Sequence, residues 1–323
     1  MIYIKKAGKI LGALGAGFIA FKKFQAIKEK RSLRSLLIEE TLDTVELYPT
    51  IRSKEDMERY IGSYYKPFKL PEEEKLRYRF KYLKGFDDTL EYVPKEQTSK
   101  VIFYIHGGGY WFQPGNFQYR MIHKLSNLAD ARVIMPIYPK APIHNANEAT
   151  AMVLSRYLHL INEEYIDPED IILVGDSAGG GMALSLLQVM RNRKYPLPSK
   201  TILISPWLDV SNSNPEMEEL QKVDPILHIE DLRFEGKIYA DGLSVKDPLV
   251  SPIYGDLTKL PPIHLFIGTH DIFYADAKKI NEIAFEDNVD LTMYTYPNMD
   301  HVFPAHPIPE AKEVLKKIAS LIK

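Results

Sequence analysis

A doubly wound α/β fold, with a mostly parallel central sheet flanked by helices, is what this 323-residue sequence predicts, and three observations carry it. Short apolar runs recur along the chain. Helix-length stretches separate them. One run, Ile171 to Val174, passes through a Gly-rich turn directly into a helical stretch. Composition agrees: 45% hydrophobic residues, a formal net charge of −2 and ordinary Gly and Pro contents exclude collagen-like, disordered and coiled-coil classes. The length is ample for a large buried core. With no cysteine, disulfides, thiolate zinc sites, iron–sulfur clusters and a cysteine nucleophile are excluded. The near-neutral charge gives no general attraction to nucleic acid.

The first element is a basic head. Residues 1–34 hold nine Lys or Arg against the single Glu29, a local charge of +8. Inside it, Ile10 to Phe21 is uncharged, but as a helix it would rise only ~18 Å, short of a ~30 Å hydrocarbon core. Gly8, Gly12, Ala16 and Ala20 form a small-residue stripe at four-residue spacing. The expectation is a helical segment over residues 1–50 that packs as part of a cap or lies on a membrane surface. A membrane anchor and a cleaved signal are the alternatives, and a cytoplasmic location is expected.

The catalytic domain is expected over residues 70–323. Leu76 to Leu83 and Thr89 to Val93 read as an antiparallel hairpin. Val101–Ile105, Arg132–Ile137, Ile171–Val174, Thr201–Ile204 and Ile263–Ile267 suit strands buried on both faces of a parallel sheet. Phe117–Leu128, Asn147–Asn162, Ala178–Arg191 and Phe273–Phe285 are helices between them. Strand Leu291–Tyr296 and helix Pro309–Ile322 complete the alternation. It breaks down between Asp209 and Pro252, which reads as an inserted helical cap over about residues 209–252, with Asp224-Pro-Ile-Leu-His228 opening a lid helix.

Two motifs carry the chemistry. Gly175-Asp-Ser-Ala-Gly179, placed between a strand and a helix, is a G-x-S-x-G nucleophile elbow that puts Ser177 at the tip of a sharp turn. A phosphate loop would require Gly-Lys-Ser or Gly-Lys-Thr, which is absent. Upstream, the strand Val101–Ile105 runs into His106-Gly-Gly-Gly-Tyr-Trp111, where three glycines leave backbone N–H groups open to one oxygen. Acyl transfer needs such donors because a tetrahedral alkoxide develops, and each is worth ~3–4 kcal/mol.

With these motifs the chain resembles the bacterial hormone-sensitive-lipase-like esterases of the α/β-hydrolase superfamily, from about Phe80 to the C-terminus. The matching pieces are His106-Gly-Gly-Gly109, Gly175-Asp-Ser-Ala-Gly-Gly180, Ser205-Pro-Trp-Leu-Asp209 and the closing Asp and His segments. The resemblance implies oxyanion donors at Gly108, Gly109 and Ala178, with His106 supporting the loop. Chain order in this fold is Ser, acid, His. His301, directly after the last strand, matches the family's histidine, with His306 the nearest rival. Asp271, just past the strand Ile263–Ile267, matches the acid, with Asp276 the rival. Two departures stand out: Ile272 follows the acid where the family usually has Pro, and Ile137-Tyr-Pro-Lys-Ala-Pro142 lacks the charged ends of the family's corresponding loop.

Tyr110, Trp111 and Trp207, with Phe112, are candidates for a substrate pocket, core packing being the alternative. His228 reads as a lid residue. No metal-ligand spacing occurs, and neither metal nor cofactor is expected. The expected function is a serine carboxylesterase acting through an acyl-enzyme on short- to medium-chain carboxylic esters. An amidase, peptidase or acyltransferase on the same triad, or a non-catalytic binding protein, are the alternatives. The expected partners are a small-molecule ester, no nucleic acid, and a membrane surface contacted through residues 1–34.

Overall fold

The computed structural model describes residues 18–45, 49–63, 65–84, 88–94 and 98–323. Gly8, Gly12 and Ala16 of the small-residue stripe lie outside the described residues. A helix through residues 18–28 (α1) turns back into α2 (Leu33–Leu42), and α3 (Lys54–Ser63) and α4 (Glu72–Tyr78) come next. Leu76 to Tyr78, expected in a strand, are therefore helical. Three glutamates at the N-terminus of α4 suit the positive end of its dipole and outweigh the β-rich look of the residues beyond it.

The sheet then forms from β1 (Lys81–Leu83), β2 (Thr89–Tyr92), β3 (Val101–Ile105) and, after α5 (Asn116–Ala129), β4 (Arg132–Pro136). Helix α6 (Ala146–Asn162) leads to β5 (Ile171–Asp176), α7 (Ala178–Asn192) and β6 (Lys200–Ile204). Two helices, α8 (Met217–Leu220) and α9 (Ile229–Ala240), interrupt the alternation before β7 (Ile263–His270), α10 (Tyr274–Glu286), β8 (Leu291–Asp300) and α11 (Pro309–Ile322). The strand order is β1-β2-β4-β3-β5-β6-β7-β8, antiparallel at the β1–β2 and β2–β4 pairs and parallel beyond them. The fold expectation and the antiparallel hairpin both hold.

Alternation along the central strands divides the core in two. Phe103, Ile105, Leu173 and Leu265 face α6, α7 and α10, while Ile102, Tyr104, Val174 and Phe266 face α5 and α11. All are completely buried, each large apolar side chain contributing ~1.5–3 kcal/mol. Helix ends obey local chemistry. Asn145 and Glu148 cap α6 reciprocally, Gln118 accepts from the Gly115 N–H ahead of α5, and Pro309 opens α11.

Candidate active site

Strand register brings the site together at the C-terminal end of the sheet. Ile105 pairs with Gly175, so the glycine loop leaves β3 beside the elbow leaving β5. On the far side, a register irregularity after Gly268 pairs His270 with Asp300, so Asp271 and His301 emerge as neighbours.

Ser177 sits between β5 and α7 at φ 53° and ψ −124°, the strained conformation of a sharp strand-to-helix turn. Its neighbours leave no room for side chains: a Cβ on Gly175 would stand 2.4 Å from the Gly179 oxygen, and one on Gly179 would stand 2.1 Å from the Ile105 oxygen. The turn is held by the Ser177 N–H donating to Ile204 and by its carbonyl accepting from Trp207, each at 2.9 Å. The hydroxyl lies 2.9 Å from His301 Nε2, and His301 Nδ1 lies 2.9 Å from Asp271 Oδ2. Asp271 Oδ1 accepts the Phe273 N–H at 2.9 Å, which fixes the carboxylate plane. Burial alone would depress the His301 pKa, but the charge and hydrogen bond of Asp271, with Asp224 and Asp176 behind it, hold it above the usual 6.5.

Across from the hydroxyl, Gly108 at φ 113° and Gly109 at φ 60° turn the glycine loop. Among the described residues, no acceptor is met by the N–H groups of Gly108, Gly109 or Ala178, the last at the start of α7. Asp176 ties the loop to the elbow. Its carboxylate accepts from the Gly107 N–H at 2.8 Å, from Gln118 at 3.2 Å and from the Tyr104 hydroxyl. His106 stacks on Tyr138 behind the loop and does not line the pocket.

A cavity of about 480 Å³ opens over these groups, walled by Leu42 to Val45 after α2, Phe112, and Leu227, Leu232 and Glu235 from the α8–α9 segment. Tyr110, Trp111 and Trp207, expected as pocket candidates, are instead buried behind its wall: Tyr110 stacks on Tyr239 at 3.7 Å and on Trp207 at 5.5 Å. Tyr110 and Trp207 pack in a stack with Tyr239 of α9, and Phe112 reaches the cavity in their place. Asp276, the rival acid, bonds Asn214 at 3.0 Å away from the histidine, and burial lifts its pKa to about 7. His306 lines the cavity with Nε2 3.2 Å from Asp300, while the contact to Ser177 is made by His301. His228 is at the cavity rim, exposed, and immediately precedes α9, which starts at Ile229.

Two acids that sequence reasoning did not place in the site also face it. Asp224 accepts the N–H groups of Ile226 and Leu227 and, through Oδ2, that of Ile272 at 2.9 Å. A proline at position 272 would have no N–H to give, so the departure from the family pattern is what connects the loop at Asp224 to the turn after Asp271. Burial and the nearby Asp271 raise the Asp224 pKa to about 7. Glu235 is buried against the glycine loop, where a Cβ on Gly109 would stand 2.7 Å from its Oε2. Burial, with Asp231 nearby, pushes its carboxyl well above the usual range. Asp224 comes after a polar loop with no motif, and Glu235 sits mid-helix without one.

A family profile described as the alpha/beta hydrolase fold matches residues 102–305. An esterase of Acinetobacter venetianus is 33% identical over 232 residues, which are 71% of this chain and 76% of that protein. An acetyl-hydrolase of Streptomyces hygroscopicus is 29% identical over 238 residues, 73% and 79% of the two chains. The crystal structure of an esterase from the bacterial hormone-sensitive lipase family shares the fold at a TM-score of 0.76 and 24% identity, over 90% of this chain and 98% of that one. Motifs, register and relatives agree: the chain belongs to the α/β-hydrolase family, with esterases among its relatives.

Proposed function

We propose that the protein hydrolyses short- to medium-chain carboxylic esters through an acyl-enzyme on Ser177. The observation that carries this reading is the line of contacts from Ser177 Oγ through His301 to Asp271, facing three unengaged N–H groups. His301 Nε2 takes the serine proton as Oγ attacks the ester carbonyl, and the Nδ1 proton stays on the ring, donated in a hydrogen bond to the Asp271 carboxylate, which stabilises the imidazolium. The N–H groups of Gly108, Gly109 and Ala178 hold the oxyanion. His301 then protonates the departing alkoxide, and the alcohol leaves. Water enters, gives its proton to His301, and attacks the acyl group; Ser177 regains its proton as the carboxylic acid is released. Residues 209–252 act as a cap over the catalytic domain, with Leu227 and Leu232 presenting apolar surface to the acyl or alcohol group. The cavity volume, within the ~300–1,000 Å³ of small-ligand sites, suits modest chains.

A chromogenic ester panel from acetyl to dodecanoyl, run on wild type beside Ser177→Ala, tests this. Turnover that peaks at short or medium chains and collapses in the variant is expected. Silence of the folded wild type across the panel would turn the reading toward amides, and activity surviving in Ser177→Ala would remove Ser177 as nucleophile.

A further inference from the structure

Helix α1 exposes an apolar row that the other described residues leave uncovered. Of its residues 18–28 only Ala26 is buried, while Phe21, Phe24 and Ile27 are 62%, 68% and 75% exposed. At 100° per residue, Ala20, Phe24 and Ile27 share one face, with Phe21 and Lys28 along one border and Lys23 along the other. Soluble monomers seldom expose a contiguous row of this kind. The flanking cations are unspent: Lys23, Lys28, Lys30 and Arg34 form no ion pair among the described residues, whereas Lys22 reaches Glu40 and Arg31 reaches Glu29 and Glu39. Aromatic and aliphatic groups bordered by long-stemmed lysines fit the boundary between lipid headgroups and acyl chains.

The helix is also held in register with the active site. The Lys22–Glu40 contact ties α1 to α2, whose C-terminal end runs into the Leu42–Val45 wall of the cavity. The turn between the helices is clamped to β8, which ends at Asp300 next to His301, and to the first turn of α11. Asn298 donates to the Glu29 carbonyl at 2.7 Å, Arg31 donates to the Asn298 carbonyl at 3.1 Å, and the Ser32 hydroxyl donates to Glu310 at 3.0 Å. We infer that α1 docks on an anionic membrane surface and holds the cavity entrance beside it, so that amphiphilic esters reach the site from the bilayer.

The test is co-sedimentation of the full chain with phosphatidylcholine vesicles, with and without one third phosphatidylglycerol. Binding is expected on the anionic vesicles, about tenfold or more above the neutral ones, at ~fivefold per engaged Lys or Arg, and falling as salt rises past about 0.1 M. Phe24→Glu combined with Ile27→Glu should lower partitioning by about tenfold or more. Turnover of a water-soluble short-chain ester should stay within about twofold, which reports the fold independently of docking. Lys23→Glu with Lys28→Glu should abolish the preference for anionic lipid. Equal partitioning to both vesicles, or unchanged binding of the Phe24/Ile27 variant, overturns the inference. So does a dimer that the same variant dissolves in a protein that ignores vesicles, which would assign the face to a second copy.

Discussion

The two walls of the cavity are built in opposite ways. On the sheet side, Ser177, Asp271, His301 and the glycine loop all leave the ends of hydrogen-bonded strands, and register alone brings them within bonding distance. On the cap side, Asp224 and Glu235 come from a segment with no strand ladder and are held by burial and side-chain contacts. Chemistry that must be accurate to a fraction of an ångström sits on the rigid wall, and groups that tune charge and shape sit on the adjustable one. The largest mutational effects should therefore fall on the sheet side and the pH-dependent ones on the cap side.

Ser177→Ala gives the largest expected loss, ~10⁶-fold in kcat with KM little changed, measured by burst-corrected ester turnover. Asp271→Asn keeps the carboxylate's shape but loses its charge, and ~10³–10⁴-fold should go from kcat. A cap-side variant matching either loss would erase the contrast between the walls. Gly109→Ala comes next, at ~10²-fold or more. Its φ of 60° disfavours a side chain and its Cβ would press on Glu235 Oε2, so the two walls meet in this one residue. Pairing it with Glu235→Ala, which vacates the space, should recover part of the rate if the collision matters more than the backbone.

The sheet wall was legible in the sequence because its constraints are local. A Cβ has no room at Gly175 or Gly179, a buried strand must precede the elbow, and the acid and histidine must come after the last two strands. The cap wall was not. Tyr110, Trp111 and Trp207 flank motifs in the sequence, but the stack of Tyr110 between Trp207 and Tyr239 depends on where α9 comes to rest, which no spacing encodes. Leu76 to Tyr78 show the same limit, since their apolar and aromatic residues suit either element and the acidic first turn of α4 decides for helix. The Asp224–Ile272 bond was visible only as the absence of a proline after Asp271.

Asp224 sharpens the comparison through pH. Its carboxylate, beside the Asp271–His301 pair, favours the imidazolium, so removing it should lower the His301 pKa. The proposed mechanism needs neutral His301, so activity should be lost as pH falls through that pKa. In Asp224→Asn the acid limb of kcat/KM should move to lower pH, by up to about one unit. The carbonyl of Asn can still accept the Ile272 N–H, so kcat on the plateau should change less than ~10-fold. A large plateau loss with no movement of the limb would mean that Asp224 acts only as a structural tie.

Glu235 carries the smallest effect at neutral pH and the most distinctive profile. Its carboxyl is held well above its ordinary 4.5 by burial, which favours the uncharged form beside Gly109. An uncharged carboxyl does not oppose the oxyanion gathering on that loop, whereas an ionised one would. Wild-type kcat/KM should therefore fall as pH rises through the point where Glu235 loses its proton, and Glu235→Gln, nearly the same shape without the charge, should keep its rate there. Below that point the two should agree within about twofold. Stability must share that sign. The native chain holds a proton that the unfolded chain has released, so stability declines as pH rises above the unfolded value toward the native one. The Gln variant lacks that decline, and melting curves through the alkaline range should separate from the wild type in step with the rate profiles. Parallel curves in both measurements would place the ionisation of Glu235 outside the working range and leave the cap wall with shape as its contribution.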